Sequence, residues 1–400
     1  MILRSVRSIF TLTASIVLFA LALWIVVPAP VTALLPLAVG APEVSVWIVV
    51  VAVLLGAAAL FDGHNRRLRR TALGLACAAG ALGIVPLVRA VAAVPRLEAA
   101  MRDGLGQDAL SQIAPEVRAG MRPAPIVIGD LFRGIQARDP RPSSSVVLGA
   151  ADGEALRMDV YAPAGPGPHP AIVQIYGGAW QRGQPRDNAA FAAYFAARNY
   201  VVFAIDYRHA PRWRWPAQID DVRTALTWIR RHGAERGVDV SRIALVGRSS
   251  GAHLALLAAY TPGSPPVTAV VSLYGPTDLT RGFREPPRPD PLDVQAILQA
   301  FVGGTPDDQA EAYKAASPIT YATRPQPPTL LIYGGRDHVV LPRFGAALHD
   351  RLRATGTTSV LLELPWAEHA FDAVPFGPGG QLALYHSERF LAWALRRSSR

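Results

Sequence analysis

Hydrophobic positions along this chain follow two rhythms, and the change between them falls near residue 94. Upstream, three runs at about 9–27, 44–61 and 71–89 are apolar on every helical face, with no charged side chain until Arg89 ends the third. Each is long enough, as a helix, to cross a hydrocarbon core of roughly 30 Å. Pro86, near the end of the third run, is the kind of break a membrane helix absorbs. The first run has a basic start and small residues around Ala29–Ala33, so it also fits a cleaved signal peptide, which would leave two spans. The expectation is a transmembrane region over residues 1–94 with about three helices. A stalk or linker over 95–145 follows, weakly amphipathic at Leu97–Val117 and closed by the Pro- and Ser-rich stretch Arg138–Ser145.

From residue 146 to 400 short apolar runs alternate with helix-period segments. Val146–Leu148 and Arg157–Tyr161 read as an opening antiparallel pair. Buried strands are predicted at Ala171–Tyr176, Tyr200–Ile205, Ile243–Val246, Ala269–Leu273, Thr329–Tyr333 and Ser359–Leu364. Helices are predicted at Asn188–Arg198, Ala217–Arg231, Ala252–Tyr260, Arg343–Arg353 and Gln381–Arg396. Strands alternating with helices imply crossover connections, hence an α/β fold with a mostly parallel central sheet flanked by helices. The rhythm breaks over 280–317, a Pro-rich and charged insertion that is a candidate lid.

Charge adds orientation. Arg4 and Arg7 precede the first run, and Arg66, Arg67, Arg69 and Arg70 lie between the second and third, while the loop after the first run has no Lys or Arg. The positive-inside rule then places the region after residue 94 on the extracytoplasmic face of a cell membrane. Residues 1–94 hold seven arginines against Glu43 and Asp62, which is half of the net +10. The remainder forms no basic block, so no nucleic-acid partner is expected. Cys77, the single cysteine, sits in the third run, which excludes an intramolecular disulfide and a cysteine metal site.

The chemistry concentrates at Gly247-Arg248-Ser249-Ser250-Gly251, between a predicted strand and a predicted helix. A serine flanked by glycines at such a turn is a nucleophile elbow, with Ser249 as the nucleophile. A serine hydroxyl needs a base, and His369 follows the last predicted strand. Asp337 follows the strand before it, so the order Ser249, Asp337, His369 is that of a hydrolase triad. His253 and His338 are rival bases and Asp278 a rival acid, each less well placed. For an oxyanion hole the candidates are the backbone N–H groups of Gly177 and Gly178, which end the first central strand, and of Ser250.

Residues 146–396 resemble the α/β-hydrolases of the carboxylesterase and hormone-sensitive-lipase-like group, especially its acetyl-ester and feruloyl-esterase-like branch. The resemblance rests on Tyr176-Gly-Gly-Ala-Trp180, Asp206-Tyr-Arg-His-Ala-Pro211, Gly247-Arg-Ser-Ser-Gly-Ala-His-Leu-Ala255, Gly335-Arg-Asp-His338 and Glu368-His-Ala-Phe371. It implies the α/β-hydrolase fold and hydrolysis of carboxylic esters, with no metal and no organic cofactor. The pattern departs at Tyr176, where the family usually has His, at Ala179, where a third glycine is common, and at Arg248 beside the nucleophile. The function expected is a membrane-anchored serine esterase acting on a small-molecule, lipid or cell-envelope acyl ester. An amidase, formamidase or acyltransferase would use the same triad, and an inert hydrolase-fold scaffold is the alternative from another class. Nothing in the sequence indicates an oligomeric state.

Overall fold

The computed structural model describes residues 2–61, 65–135 and 143–396. Arg138–Pro142, in the Pro- and Ser-rich end of the expected stalk or linker, therefore lies outside the described residues. Eight strands make one sheet: β1 (Ser144–Ala151), β2 (Glu154–Tyr161), β3 (His169–Ile175), β4 (Val201–Ile205), β5 (Val238–Arg248), β6 (Ala269–Leu273), β7 (Thr329–Gly334) and β8 (Ser359–Leu364). Their spatial order is β1-β2-β4-β3-β5-β6-β7-β8. β2 runs antiparallel to both β1 and β4, and the remaining pairs are parallel. The hairpin closes through Asp152-Gly153, both at positive φ, the geometry a two-residue turn between twisted strands demands. Every residue of β4, β6 and β7 is buried, which requires cover on both faces of the sheet.

The N-terminal helices are α1 (Ile2–Leu23), α2 (Leu35–Glu43), α3 (Ser45–Leu60), α4 (Arg66–Leu105), α5 (Pro115–Ala119) and α6 (Ile128–Arg133). Within and around the sheet follow α7 (Ala189–Ala196), α8 (Ala217–His232), α9 (Ser250–Tyr260), α10 (Leu279–Arg284), α11 (Val294–Val302), α12 (Ala310–Ala315), α13 (Pro342–Ala354) and α14 (Pro378–Ala394). The segment 280–317 contains most of α10 and all of α11 and α12.

Among the described residues, α1 and α4 are long and apolar enough to cross a membrane; the bent pair α2–α3 makes a third candidate if taken as one span. The run expected over 44–61 is thus a 16-residue helix joined to α2 through a 77° bend. The run expected over 71–89 belongs to a 40-residue helix that passes straight through the expected boundary at residue 94. The reason is a buried stripe. Ala90, Ala93, Leu97 and Met101 recur at helical spacing and join the core of the sheet domain, so packing carries the helix on past Pro86 and Pro95. Its start is set by Asn65, whose side chain accepts from the Arg67 and Leu68 N–H groups.

Candidate active site

Four strand ends build the site. β5 runs into α9 through Ser249, which adopts φ 51° and ψ −122°, a strained conformation for a residue with a side chain. The surroundings enforce it. A Cβ on Gly247 would lie 2.3 Å from the Gly251 carbonyl oxygen, and one on Gly251 would lie 2.3 Å from the carbonyl oxygens of Ile175 and Tyr176. The turn therefore closes only with hydrogen at both positions, and the Ser249 hydroxyl is held at the sheet edge.

Beyond β7, Asp337 is buried, and its Oδ1 accepts the N–H groups of Val339 at 2.8 Å and Val340 at 2.7 Å. Its Oδ2 accepts Nδ1–H of His369, beyond β8, at 2.8 Å. That bond leaves Nε2 free of its proton, 3.0 Å from the Ser249 Oγ that donates to it. The three polar side chains thus form one hydrogen-bonded chain, Asp337–His369–Ser249.

The first strand supplies the opposite wall. After β3 the chain turns through Gly178, Ala179 and Trp180, all at positive φ, and a Cβ on Gly178 would lie 1.9 Å from the Arg182 carbonyl oxygen. Gly177 passes so close to the elbow that a Cβ there would lie 3.1 Å from that of Ser249. The Gly177 and Gly178 N–H groups donate to no backbone carbonyl among the described residues. Tyr176 sits behind this turn rather than in it, donating to Asp206 Oδ1 at 2.5 Å and stacking on Tyr207 with centroids 4.5 Å apart. The Tyr207 hydroxyl in turn lies 3.3 Å from Ser250 Oγ.

The rival residues are engaged elsewhere. His253 is fully buried, accepting from the Trp180 indole N–H at 3.1 Å and donating to the Ala316 carbonyl at 2.6 Å. Burial pushes its imidazole down to about 4, so it is a neutral packing element. His338 turns to Glu368 at 3.0 Å, and this hydrogen bond raises its pKa. Asp278 caps α10 by accepting the Arg281 N–H at 3.0 Å.

Sequence reasoning missed Asp372. It takes the buried Arg248 guanidinium at 2.5 Å and also accepts from the Tyr274 hydroxyl. Arg248 is thereby neutralised, and the Tyr274 ring packs edge-on against His369 with centroids 4.6 Å apart. Burial drives the Tyr274 phenol well above its ordinary pKa, so it stays protonated and donates. Asp372 follows His369 by three residues in a short turn, with no periodic signal to mark it.

Ser249 and His369 open into a cleft of about 430 Å³. Leu279, Leu292, Ile297, Leu298, Phe344 and Leu35 give it an apolar wall. Leu35 is unexpected, since it comes from the connection between the first two apolar runs. Among the described residues no group of three or more His, Cys, Asp or Glu side chains is gathered to hold a metal ion.

Comparison with known proteins points the same way as this geometry. A family model described as BD-FAE matches residues 158–352. LipM of Mycobacterium tuberculosis, a probable carboxylic ester hydrolase, is 32% identical over 342 residues, covering 80% of this chain and 77% of that protein. That span is longer than the sheet domain, so it takes in part of the N-terminal helices. The esterase LipC of the same organism is 36% identical over 220 residues, covering 51% of this chain and 54% of that protein. Among solved structures, Thermogutta terrifontis esterase 2 phosphonylated by sarin superposes with a TM-score of 0.51 at 26% identity, covering 58% of this chain and 87% of that one. The butyrate-bound form of the thermophilic esterase from that species superposes with a TM-score of 0.50, covering 58% and 86%.

Proposed function

The chain belongs to the α/β-hydrolase carboxylesterases, in their hormone-sensitive-lipase-like branch, and from that membership we propose a membrane-anchored serine esterase working through Ser249, His369 and Asp337. The observation that carries the reading is the hydrogen-bonded chain Asp337–His369–Ser249, with both of its bonds at 3.0 Å or less.

In this mechanism Ser249 Oγ attacks the acyl carbon of the ester while its proton passes to His369 Nε2. Asp337 holds the imidazole in the tautomer that can accept and stabilises the imidazolium that forms. The tetrahedral oxyanion is taken by the N–H groups of Gly177, Gly178 and Ser250. His369 returns the proton to the leaving alkoxide, which departs as the alcohol and leaves an acyl-Ser249. Water, deprotonated by the same histidine, then releases the carboxylic acid and restores the hydroxyl.

A related esterase is found with bound butyrate and another structure is phosphonylated by sarin, so short esters and phosphonates are the reagents of choice. The test is hydrolysis of p-nitrophenyl butyrate, and labelling by a fluorophosphonate, with detergent-purified wild type and Ser249→Ala. Loss of both in a folded variant is expected, and turnover that survives the substitution refutes the assignment. Amide hydrolysis faster than ester hydrolysis would move the protein to an amidase reading. The apolar helices α1 and α4, with the bent pair α2–α3 counted as a third span, support anchoring, because three crossings from a cytoplasmic N-terminus leave the sheet domain on the extracytoplasmic face.

A further inference from the structure

The connection between α1 and α3 is built into the rim of the cleft. Leu35 lines the same cavity as Ser249. Thr32 Oγ1 donates at 2.6 Å to the carbonyl of Pro291, in the segment between α10 and α11 that forms a wall of the cleft. The guanidinium of Arg336, next to Asp337, donates to the carbonyls of Ile25 and Val26, the latter at 2.6 Å. Glu43 is buried and accepts the Gly379 N–H at 2.7 Å and the Trp366 indole N–H at 3.3 Å, three residues before His369. Cβ atoms on Gly377 and Gly379 would lie 2.5 and 2.7 Å from the Glu43 carboxyl oxygens, so these glycines make its room.

The same residues mark where the candidate spans end. Gly83 of α4 lies against Ser45, Ile48 and Val49 at the start of α3, and Gly56 near the end of α3 lies against Leu73. The two helices are therefore antiparallel. The start of α3 sits level with Gly83, and about two turns further along, α4 already packs into the sheet domain through Ala90 and Ala93. The cleft meets the α1–α3 connection at that same level. Val26, Val27, Val31, Leu37 and Trp47 remain 38–51% exposed there. Apolar side chains with a tryptophan beside the end of a span are the composition of a bilayer interface.

We propose that residues 24–43 form a specificity wall set at the bilayer surface, and that the substrate is an acyl ester resident in the lipid bilayer, its acyl chain lying against Leu35. The proposal rests on the esterase reading above and adds the route and the substrate class. A lipid ester would slide from the bilayer interface past the exposed apolar rim, presenting its carbonyl to Ser249 without fully leaving the membrane. A glycan or other polymer ester would have to approach past the same apolar surface and gain nothing from it.

The test reconstitutes the full chain in ether-linked phosphatidylcholine vesicles, with dioleoylglycerol either in the same vesicles or in separate, protein-free ones. Release of oleate at least tenfold faster from the shared vesicles is expected; equal rates overturn the proposal. In detergent, Leu35→Trp should lower the laurate-to-butyrate ratio of kcat/KM for p-nitrophenyl esters about tenfold, the scale of one or two lost methylene contacts. Circular dichroism and thermal unfolding control for misfolding, and Leu35→Ala, which shortens the same contact, should lower the ratio in the same direction by a smaller factor. A ratio unmoved by Leu35→Trp, or faster turnover of acetylated xylan than of dioleoylglycerol, also overturns it. Ser249-dependent butyrate hydrolysis with equal vesicle rates sinks only this inference, whereas absence of any ester hydrolysis sinks the esterase reading itself.

Discussion

Replacing Asp337 with asparagine isolates the role assigned to the acid. The two N–H groups of Val339 and Val340 converge on Oδ1 at 2.8 and 2.7 Å. An amide nitrogen there would set a donor against two donors, so the amide oxygen must keep that place and the NH2 must face His369. Nδ1, now 2.8 Å or so from a donor, has to accept, which moves the imidazole proton to Nε2. In that tautomer the histidine cannot take the Ser249 proton. The negative charge that steadies the imidazolium is lost as well, a term of about 4 kcal/mol at roughly 4 Å and an effective dielectric near 20. Alone that is about three powers of ten in rate, and the tautomer penalty adds to it, so kcat for Asp337→Asn should fall about 10³–10⁴-fold. KM should change little, because the carboxylate touches no substrate. The assay is steady-state hydrolysis of p-nitrophenyl butyrate, with circular dichroism to confirm folding. A variant within tenfold of wild-type kcat would refute the acid assignment and the tautomer argument together.

His338→Gln should keep kcat within about threefold of wild type, because that ring is turned to Glu368; a loss matching that of His369→Gln would make His338 the base. Burial holds His253 down at about 4 and His386 at about 3, against an ordinary 6.5. Between about pH 6.5 and 4 the unfolded chain thus binds protons the folded one refuses, so stability falls as pH drops through that window, by about 2 kcal/mol per histidine at pH 5. Thermal unfolding in detergent at pH 7.5, 6 and 5 should show a steadily falling Tm, and a flat profile would contradict the neutral, buried state of these rings.

Local pattern is enough wherever a physical constraint is local. β6 and β8 match their predicted bounds because an apolar run between turn residues in a parallel sheet has one reading. The elbow is legible because steric closure of the turn demands glycine at 247 and 251, and the candidates Asp337 and His369 stand out because each directly follows such a strand. Leu97 and Met101 are less legible. Their stripe is an ordinary amphipathic signal, and only the sheet domain docked against it turns an expected stalk into the continuation of the apolar helix α4. Arg248 reads equally well as solvated or buried until Asp372 arrives from 124 residues away to neutralise it.

By itself, then, the sequence determined the strand–helix alternation, the two regimes of hydrophobicity, the elbow and the candidate nucleophile, base and acid, since each follows from spacing along the chain. Tertiary structure alone decided the Arg248–Asp372–Tyr274 group, the partners that occupy His253 and His338, and the entry of Leu35 into the cleft. Those depend on which distant segments meet, and pairing between residues tens to hundreds of positions apart leaves no periodic trace in either partner.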